Sequence, residues 1–238
     1  MTRFFTSLIA LCCLGMAAPL WAAESLVFPE SVRLQYDIDG LAQGFPYRAK
    51  AELLWHKDGQ KYDARMEISH FLLGSAVQTS MGRLTPQGLE PSRFSYKFRD
   101  ETKVQFDRTK NQVTFDSDIP SAPLLAGAQD QLSIFIQMGS MVAGAPGKFV
   151  PGSTLSFQSV GPRTSESWTF TVGATEKLAL PGGEVTAIRL WREAASENDA
   201  KGEVWLAPSM EYLPVRIRLT KGSNEVVDQK WRATLKPQ

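Results

Sequence analysis

Hydrophobic and polar residues alternate along most of this chain, and a period of two is typical of strands that bury one face. Residues 32–38 carry Val, Leu, Tyr and Ile at every second position, with charged or amide side chains between them. Residues 47–55 and 62–70 repeat the pattern on either side of Asp58-Gly59, a dipeptide that favours the positive φ of a tight turn. The pattern therefore predicts a first strand followed by a hairpin.

Aromatic residues take the alternating positions in the next part of the chain. Residues 93–99, 104–106 and 113–115 predict a meander of short strands, with aromatic side chains on one face and charged ones on the other. Strand patterns return in residues 152–235, separated by turns rich in glycine and proline. We count about a dozen strands in total.

The spacing of apolar residues changes between these two blocks of strands. From Leu132 to Val142 they recur every three or four positions, which predicts a helix that ends near Gly144, with Pro146 just beyond it. Asp130 is placed to act as its N-cap or first-turn acid. We therefore expect a mainly β fold: an antiparallel, strongly curved sheet or half-barrel, with one amphipathic helix as its plug or lid.

The first 23 residues have the features of a secretory signal peptide. Arg3 precedes an almost uncharged apolar stretch, and the small residues Ala22 and Ala23 follow it. An uncleaved membrane anchor is the alternative interpretation. Cleavage leaves residues 24–238, which no linker-like tract divides, as one β-rich domain.

Both cysteines, Cys12 and Cys13, fall inside this leader. The processed chain then has no disulfide, thiol nucleophile or thiolate ligand. Leu11 precedes the cysteines where a lipidation signal has a small residue, so we expect no lipid anchor. An exported chain without disulfides suits the bacterial periplasm.

The charge balance narrows the class of partner. The chain has 26 Lys and Arg against 25 Asp and Glu, and loss of Arg3 makes the two numbers equal. A nucleic-acid-binding protein needs a basic surface, so this class is excluded. A hydrophobic content of 43% excludes intrinsic disorder.

Candidate catalytic residues are few. His56 and His70 have neither metal-ligand spacing nor a partner motif, and each is interpreted as a hydrogen-bonded histidine on a strand. No nucleophile elbow, phosphate-binding loop or dinucleotide-binding motif occurs. The sequence predicts no cofactor, no metal and no enzyme.

Two pairs of carboxylates leave an enzymatic alternative open. Asp37 with Asp39, and Asp116 with Asp118, could serve glycoside hydrolysis or calcium binding. Aspartate is also common where strands turn, and we interpret both pairs as turn residues.

A cluster of basic residues accompanies the aromatic meander. It is interpreted as a solvated face of the sheet, with an anionic lipid headgroup or envelope polymer as the alternative partner. The cluster consists of Arg93, Lys97, Arg99, Lys103 and Arg108.

The aromatic side chains carry the functional prediction. Curved sheets can use such a face to enclose a hydrophobic ligand, although a fully packed core would show the same pattern. The predicted ligand-lining residues are Phe94, Tyr96, Phe98, Phe106, Phe115, Phe135, Phe157, Trp168 and Phe170.

Three segments resemble a bacterial exported family, domain of unknown function 3108. Residues 205–216 read Trp-Leu-Ala-Pro-Ser-Met-Glu-Tyr-Leu-Pro-Val-Arg, residues 130–133 read Asp-Gln-Leu-Ser, and residues 180–185 read Leu-Pro-Gly-Gly-Glu-Val. The likeness extends from about Val32 to Leu235, and its motifs are structural, without catalytic residues.

The first of these segments is also similar to strand-turn-strand segments of periplasmic lipoprotein carriers and of sigma-factor regulators that sense lipoproteins. That resemblance implies an open half-barrel whose concave apolar face, covered by helices, holds acyl chains. The carriers have several lid helices, whereas this sequence predicts one.

We therefore expect a non-catalytic periplasmic protein that binds a lipid, another apolar ligand or a lipidated partner on its concave face. It would be a monomer, at most peripheral to a membrane. The alternative is an envelope interaction or scaffold protein with a filled core, which binds another protein through a strand edge or the loop 193–201. A glycan-active enzyme is the third hypothesis.

Overall fold

The computed structural model describes residues 26–71, 74–116, 118–196 and 199–237. These residues form one curved sheet of fifteen strands and one α-helix, which confirms the predicted fold class. The strands are β1 (Val32–Ala42), β2 (Phe45–Asp58), β3 (Lys61–His70), β4 (Gly74–Thr85), β5 (Gly88–Lys97), β6 (Glu101–Asp107), β7 (Gln112–Phe115), β8 (Ala122–Pro123), β9 (Gln129–Asp130), β10 (Thr154–Val160), β11 (Ser165–Leu180), β12 (Gly183–Arg192), β13 (Lys201–Ala207), β14 (Leu213–Lys221) and β15 (Glu225–Leu235), and the helix is α1 (Ser133–Gly144).

The sheet consists of two meanders joined edge to edge. Strands β1 to β8 pair in sequence order, as do β9 to β15, and the pairing of β1 with β15 joins the two sets. Every pair is antiparallel except the short β9–β10 pair. Non-consecutive strands thus meet only where the first and last long strands lie side by side.

The two terminal strands, β8 and β9, are not paired with each other, so the half-barrel is open. One side chain spans this gap. The Gln158 amide donates from Nε2 to the Pro123 carbonyl at 2.7 Å and accepts at Oε1 from the Leu125 N–H at 2.8 Å. Side-chain hydrogen bonds therefore hold the seam where a closed barrel would have a backbone ladder.

Large side chains fill one end of the interior. The inward residues Leu34, Leu53, Trp55, Tyr62 and Phe94 are all buried there. Helix α1 packs into the same core through several fully or almost fully buried side chains, so it is a plug, and it is more enclosed than the expected amphipathic helix. Its core side chains are Ile134, Ile136, Met138 and Val142.

Small side chains occupy inward positions toward the opposite end. The inward residues at this end include Gly40, Ala49, Ala76 and Gly202. Inward positions of the same strands nearer the filled end carry mostly larger residues. A Cβ at Gly40 would lie 2.3 Å from the Tyr47 ring, so this glycine makes room for the tyrosine. The interior is therefore packed at one end and hollow toward the other.

The helix begins at Ser133, close to the predicted start, but Asp130 is neither its N-cap, which is Leu132, nor in its first turn, which has no acidic residue. Asp130 is fully buried, and its Oδ1 accepts hydrogen bonds from the backbone N–H groups of Leu132 at 2.9 Å and Ser133 at 2.7 Å. These are donors that the first turn of a helix cannot satisfy internally. The carboxyl also accepts from the Ser80 hydroxyl at 2.5 Å, which ties the helix to β4.

One expectation about local structure was wrong, and one strand was not predicted. Asp37 and Asp39 do not mark a turn, because both lie inside β1 on the convex face. Strand β4 lies in a stretch with no alternating apolar pattern: its inward residues Ala76, Gln78 and Ser80 are small or polar.

Candidate functional site

The hollow end of the half-barrel contains a cavity of about 380 Å³ between α1 and the concave sheet. This volume lies within the range of small-molecule sites, and most of the lining is apolar. The apolar lining consists of Met66, Ile68, Leu132, Phe135, Trp168, Phe170, Ile217, Leu219 and Val227.

A second chamber of about 580 Å³ adjoins this cavity. The two share Ile68, Ala200, Leu219 and Val227 as lining residues, so these two mostly apolar spaces adjoin each other. The second chamber reaches the end of the half-barrel where the β1–β2, β3–β4, β5–β6 and β14–β15 turns lie; we call this end the rim. The interior can therefore be reached from the rim.

Exposed aromatic side chains surround the rim. Phe45 is 75% exposed, Phe71 87% and Phe98 44%, and each lies at or next to a hairpin turn. Half-buried Tyr47 and His70 line the rim chamber, with their ring centroids 6.2 Å apart. Of the three exposed rings, Phe98 lines the rim chamber and Phe71 lines a neighbouring groove.

The inner cavity contains one buried ion pair. Arg192 is 6% exposed, pairs through both terminal nitrogens with the Asp199 carboxylate, and also donates to the Ala200 carbonyl at 2.6 Å. Its guanidinium lies 4.5 Å from the centroid of the Trp168 ring, a cation–π distance. The pair ties the segment after β12 to the cavity wall.

Burial opposes the ionisation of Asp199. Hydrogen bonds from Arg192 and from the backbone N–H groups of Ala195 and Ala200 outweigh that effect and lower the pKa of the carboxyl. Asp199 is therefore charged at neutral pH, and it neutralises the arginine.

Three glutamines and Thr164 give the cavity its uncharged polar groups. Gln229 is 6% exposed, and its Oε1 has no hydrogen-bond partner among the described residues. Gln78 and Gln131 also line the cavity, and neither amide bonds to another residue in the described part of the chain. Buried polar groups are usually paired, so an unpaired amide in an apolar space is a candidate ligand contact.

The predicted ligand-lining residues fall into three groups. Phe135, Trp168 and Phe170 line the inner cavity, and Phe98 lines the rim chamber. Tyr96 and Phe115 are half-buried and pack against the core. Buried core positions are taken by Phe94, Phe106 and Phe157. Ligand contact stays a prediction for all nine.

The carboxylate pairs are not arranged for acid–base catalysis. Asp39 forms ion pairs with Lys230 at 3.0 Å and Arg48 at 3.5 Å, and Asp37 pairs with Arg232 at 3.4 Å. The hydrogen bond from Lys230 lowers the pKa of Asp39, the opposite of what a general acid needs.

The other candidate chemistry lies at the surface. Asp116, Asp118 and His56 are exposed. The basic cluster is exposed apart from half-buried Arg108, which donates to the Pro91 carbonyl at 2.6 Å. Among the described residues no group of three or more His, Cys, Asp or Glu could hold a metal ion. None of the helices formed by the described residues is sufficiently long and apolar to span a bilayer.

Sequence analysis did not identify the polar residues of the cavity. Gln229 carried a usable signal, since it stands in the apolar phase of β15, opposite Ile38 and Ile217. Arg192 and Asp199 carried none, because their pairing depends on how the β12–β13 loop returns to the sheet.

A protein-family comparison assigns most of the chain. The model described as "Protein of unknown function (DUF3108)" matches residues 36–227, so the chain belongs to this family, as its motifs indicated. A search of curated proteins finds no match.

Solved structures support the fold. The crystal structure of the beta-barrel-like protein of domain of unknown function DUF1849 from Brucella abortus aligns with a TM-score of 0.58 at 9% identity, covering 89% of this chain and all of that one. A putative outer membrane lipoprotein-sorting protein domain from Vibrio parahaemolyticus covers 90% of this chain and 87% of its own at 9% identity. Its TM-score of 0.27 is too low to carry a structural argument.

Proposed function

We propose that this DUF3108 protein is a non-catalytic binding protein that holds a hydrophobic ligand, or the lipid chain of a partner, in the space between α1 and the concave face of its sheet. The observation that carries the proposal is the pair of adjoining, mostly apolar spaces, the inner cavity and the rim chamber. The location follows the predicted signal peptide, which lies outside the described residues: we propose the periplasm.

The side chains that create the space support a binding role. Ala49, Ala76 and Gly202 occupy inward positions where Leu or Phe would fill the interior. The side chains around a void lack the van der Waals contacts that the side chains of the filled end make, and such voids are destabilising. A ligand that occupies the space would restore those contacts.

The space also argues against the alternatives. A scaffold protein needs only a filled core and an exposed edge, so it gains nothing from a hollow end. An enzyme needs a protonated acid or an activated nucleophile in a cleft, and the carboxylates considered for that role are ion-paired or exposed.

The test is to block the rim chamber from within. Ala76 faces inward opposite Ile68, so Ala76→Phe would place a ring in the path from the rim to the inner cavity. We expect it to weaken binding of the uncharged apolar dye Nile red by about tenfold or more, measured by fluorescence titration.

The matched control is Val77→Phe. Val77 is the next residue of β4 and points to the opposite face, so this variant adds a ring to the same strand outside the cavity. It should keep the affinity of the wild-type protein. Equal Nile red affinity in a folded Ala76→Phe variant would contradict the proposal.

A further inference from the structure

We infer that the inner cavity selects an uncharged polar group on its hydrophobic ligand, an amide or a hydroxyl with a hydrogen to donate, and that Gln229 accepts this hydrogen bond. The inference rests on the proposed function, because it concerns the ligand of the same cavity. It excludes a fatty carboxylate as the preferred ligand.

The first step is the state of the Gln229 side chain. It lies in the cavity wall between Ile38 and Ile217, which are its register partners and are each 1% exposed. Its Oε1 is buried without a partner among the described residues. An amide oxygen can only accept a hydrogen bond, so the group that completes it must carry an N–H or O–H.

The second step is the charge of the lining. Arg192 is the only basic residue among the described residues of the inner cavity, and its guanidinium already bonds to Asp199 and to the Ala200 carbonyl. Glu166 is exposed at the edge of the same space, whereas the Glu203 carboxylate alternates with inward Gly202 and Val204 and pairs with Arg189 on the convex face. An anionic headgroup would thus find no free cation to pair with among the described residues of the inner cavity.

A cationic headgroup also fits poorly. Glu203 already pairs with Arg189, and Glu166 is exposed to water, which screens its charge. At Gln229 itself the surroundings are isoleucine side chains, where an unpaired ammonium would lose its hydration.

The third step is the pair of further amides. Gln78 and Gln131 line the same cavity from β4 and from the start of α1. Each offers an N–H₂ donor, which suits a ligand carbonyl or hydroxyl oxygen. The unpaired oxygen of Gln229 and the amides of Gln78 and Gln131 together are complementary to an amide or an alcohol group on the ligand.

The apolar body of the ligand then runs toward the rim. Ile68, Leu219 and Val227 line both chambers and offer apolar contacts from one to the other. The polar group is thus at the inner end, and the apolar chain extends toward the exposed ring of Phe98.

The experiment compares three ligands that share one chain and differ in the headgroup. Oleamide, oleate and oleylamine compete with Nile red for the wild-type protein at pH 7.5, below their aggregation concentrations. We expect oleamide to compete at least about tenfold better than either charged ligand, a difference of roughly 1.4 kcal/mol.

Gln229→Met keeps the length of the side chain and removes its polar atoms. We expect this variant to bind Nile red within about twofold of the wild-type protein, yet to lose most of its preference for oleamide. Gln105→Met, on the exposed face of β6, is the matched control and should keep the preference.

The outcomes separate the two proposals. Oleate or oleylamine competing as well as oleamide, or an unchanged preference in Gln229→Met, would overturn this inference while the binding function stands. Failure of Nile red and of all three ligands to bind would remove the proposed function, and this inference with it.

Discussion

Asp130 places a carboxyl group entirely inside the core. It is completely buried, and burial raises the pKa of its carboxyl from 3.8 to about 6, although hydrogen bonds from Ser133, Ser80 and Leu132 favour the charged form. Burial raises the pKa of Tyr62, and the charge of Asp130 raises it further; the Tyr62 hydroxyl bonds to the Ser80 hydroxyl at 3.0 Å. The Asp130 carboxylate thus bonds to backbone N–H groups at the helix start at the cost of keeping a charge in the core.

This cost makes the stability contribution of Asp130 pH-dependent. Because the folded pKa lies above the unfolded value, the folded state takes up a proton first as the pH falls. The stability that protonation of Asp130 adds to the folded state is therefore complete below pH 3.8. It is lost as the pH rises through about 6. A shift of about two units corresponds to roughly 3 kcal/mol.

Asp130→Asn keeps the acceptor for the helix N–H groups and removes the titration. Between pH 8 and pH 4, we expect the unfolding free energy of the wild-type protein to rise relative to that of the variant by up to about 3 kcal/mol. Urea unfolding of both proteins across this range measures it, and carboxyls common to both cancel. A difference that does not change with pH would contradict this account.

At the scale of elements, the Trp205–Arg216 motif seats the helix. It forms β13, a short 3₁₀ turn at Pro208–Met210, and β14, and the turn ends with Glu211 and Tyr212 both at positive φ. The Tyr212 carbonyl then lies against Gly139 of α1, where a Cβ would be 2.5 Å from its oxygen. The motif that identified the family therefore has a structural role: its turn packs against helix α1.

Gly139→Ala tests this contact. Alanine normally stabilises a helix interior by about 1 kcal/mol relative to glycine, but here the added methyl overlaps a backbone oxygen. The overlapped atom is backbone and cannot swing away, so we expect an overpacking cost in the upper part of the usual range of about 1–3 kcal/mol. After the helix gain is subtracted, the net loss in unfolding free energy is about 1–2 kcal/mol.

Gly147→Ala is the control, since a Cβ there meets no atom within 4 Å. Its unfolding free energy should stay within about 0.5 kcal/mol of the wild-type value. If Gly139→Ala were as stable as this control, the close approach of α1 and the β13–β14 turn would not constrain the fold.

How far the sequence predicts these elements depends on what each strand faces. The run 32–38 and the β2–β3 hairpin could be predicted because their inward residues are large and apolar. Strand β4 could not, since its inward residues line the cavity or bond to Asp130 and are therefore small or polar. Alternation is lost in the strand that borders the candidate site.

At the scale of the whole molecule, the cavity results from the positions of small residues on several strands. No single strand shows it, because Ala49 and Gly202 become neighbours of one space only when β1 and β15 pair. The sequence predicted an aromatic concave face, but it could not separate the aromatic residues that fill the core from those that line the hollow.

Ala49→Leu would fill part of this hollow. Ala49 is half-buried and inward-facing, and each buried CH₂ contributes about 0.8 kcal/mol. We expect the ligand-free protein to gain about 1–2 kcal/mol in unfolding free energy and to bind Nile red more weakly.

Ala179→Leu, on an exposed position of β11, makes the same chemical change outside the interior. It should leave both quantities near the wild-type values. A lower stability for Ala49→Leu would mean that the hollow end is already packed.

Because one end of the interior is hollow, a bound ligand would change the thermal stability of the protein, and this change can be measured in a mixture of loaded and empty molecules. A molecule that binds only the folded chain adds about 1.4 kcal/mol of stability for each tenfold excess of its free concentration over Kd. The melting temperature of this protein would then report how much of it is loaded, so a fraction purified with its cargo should melt above the same fraction after the cargo has been extracted.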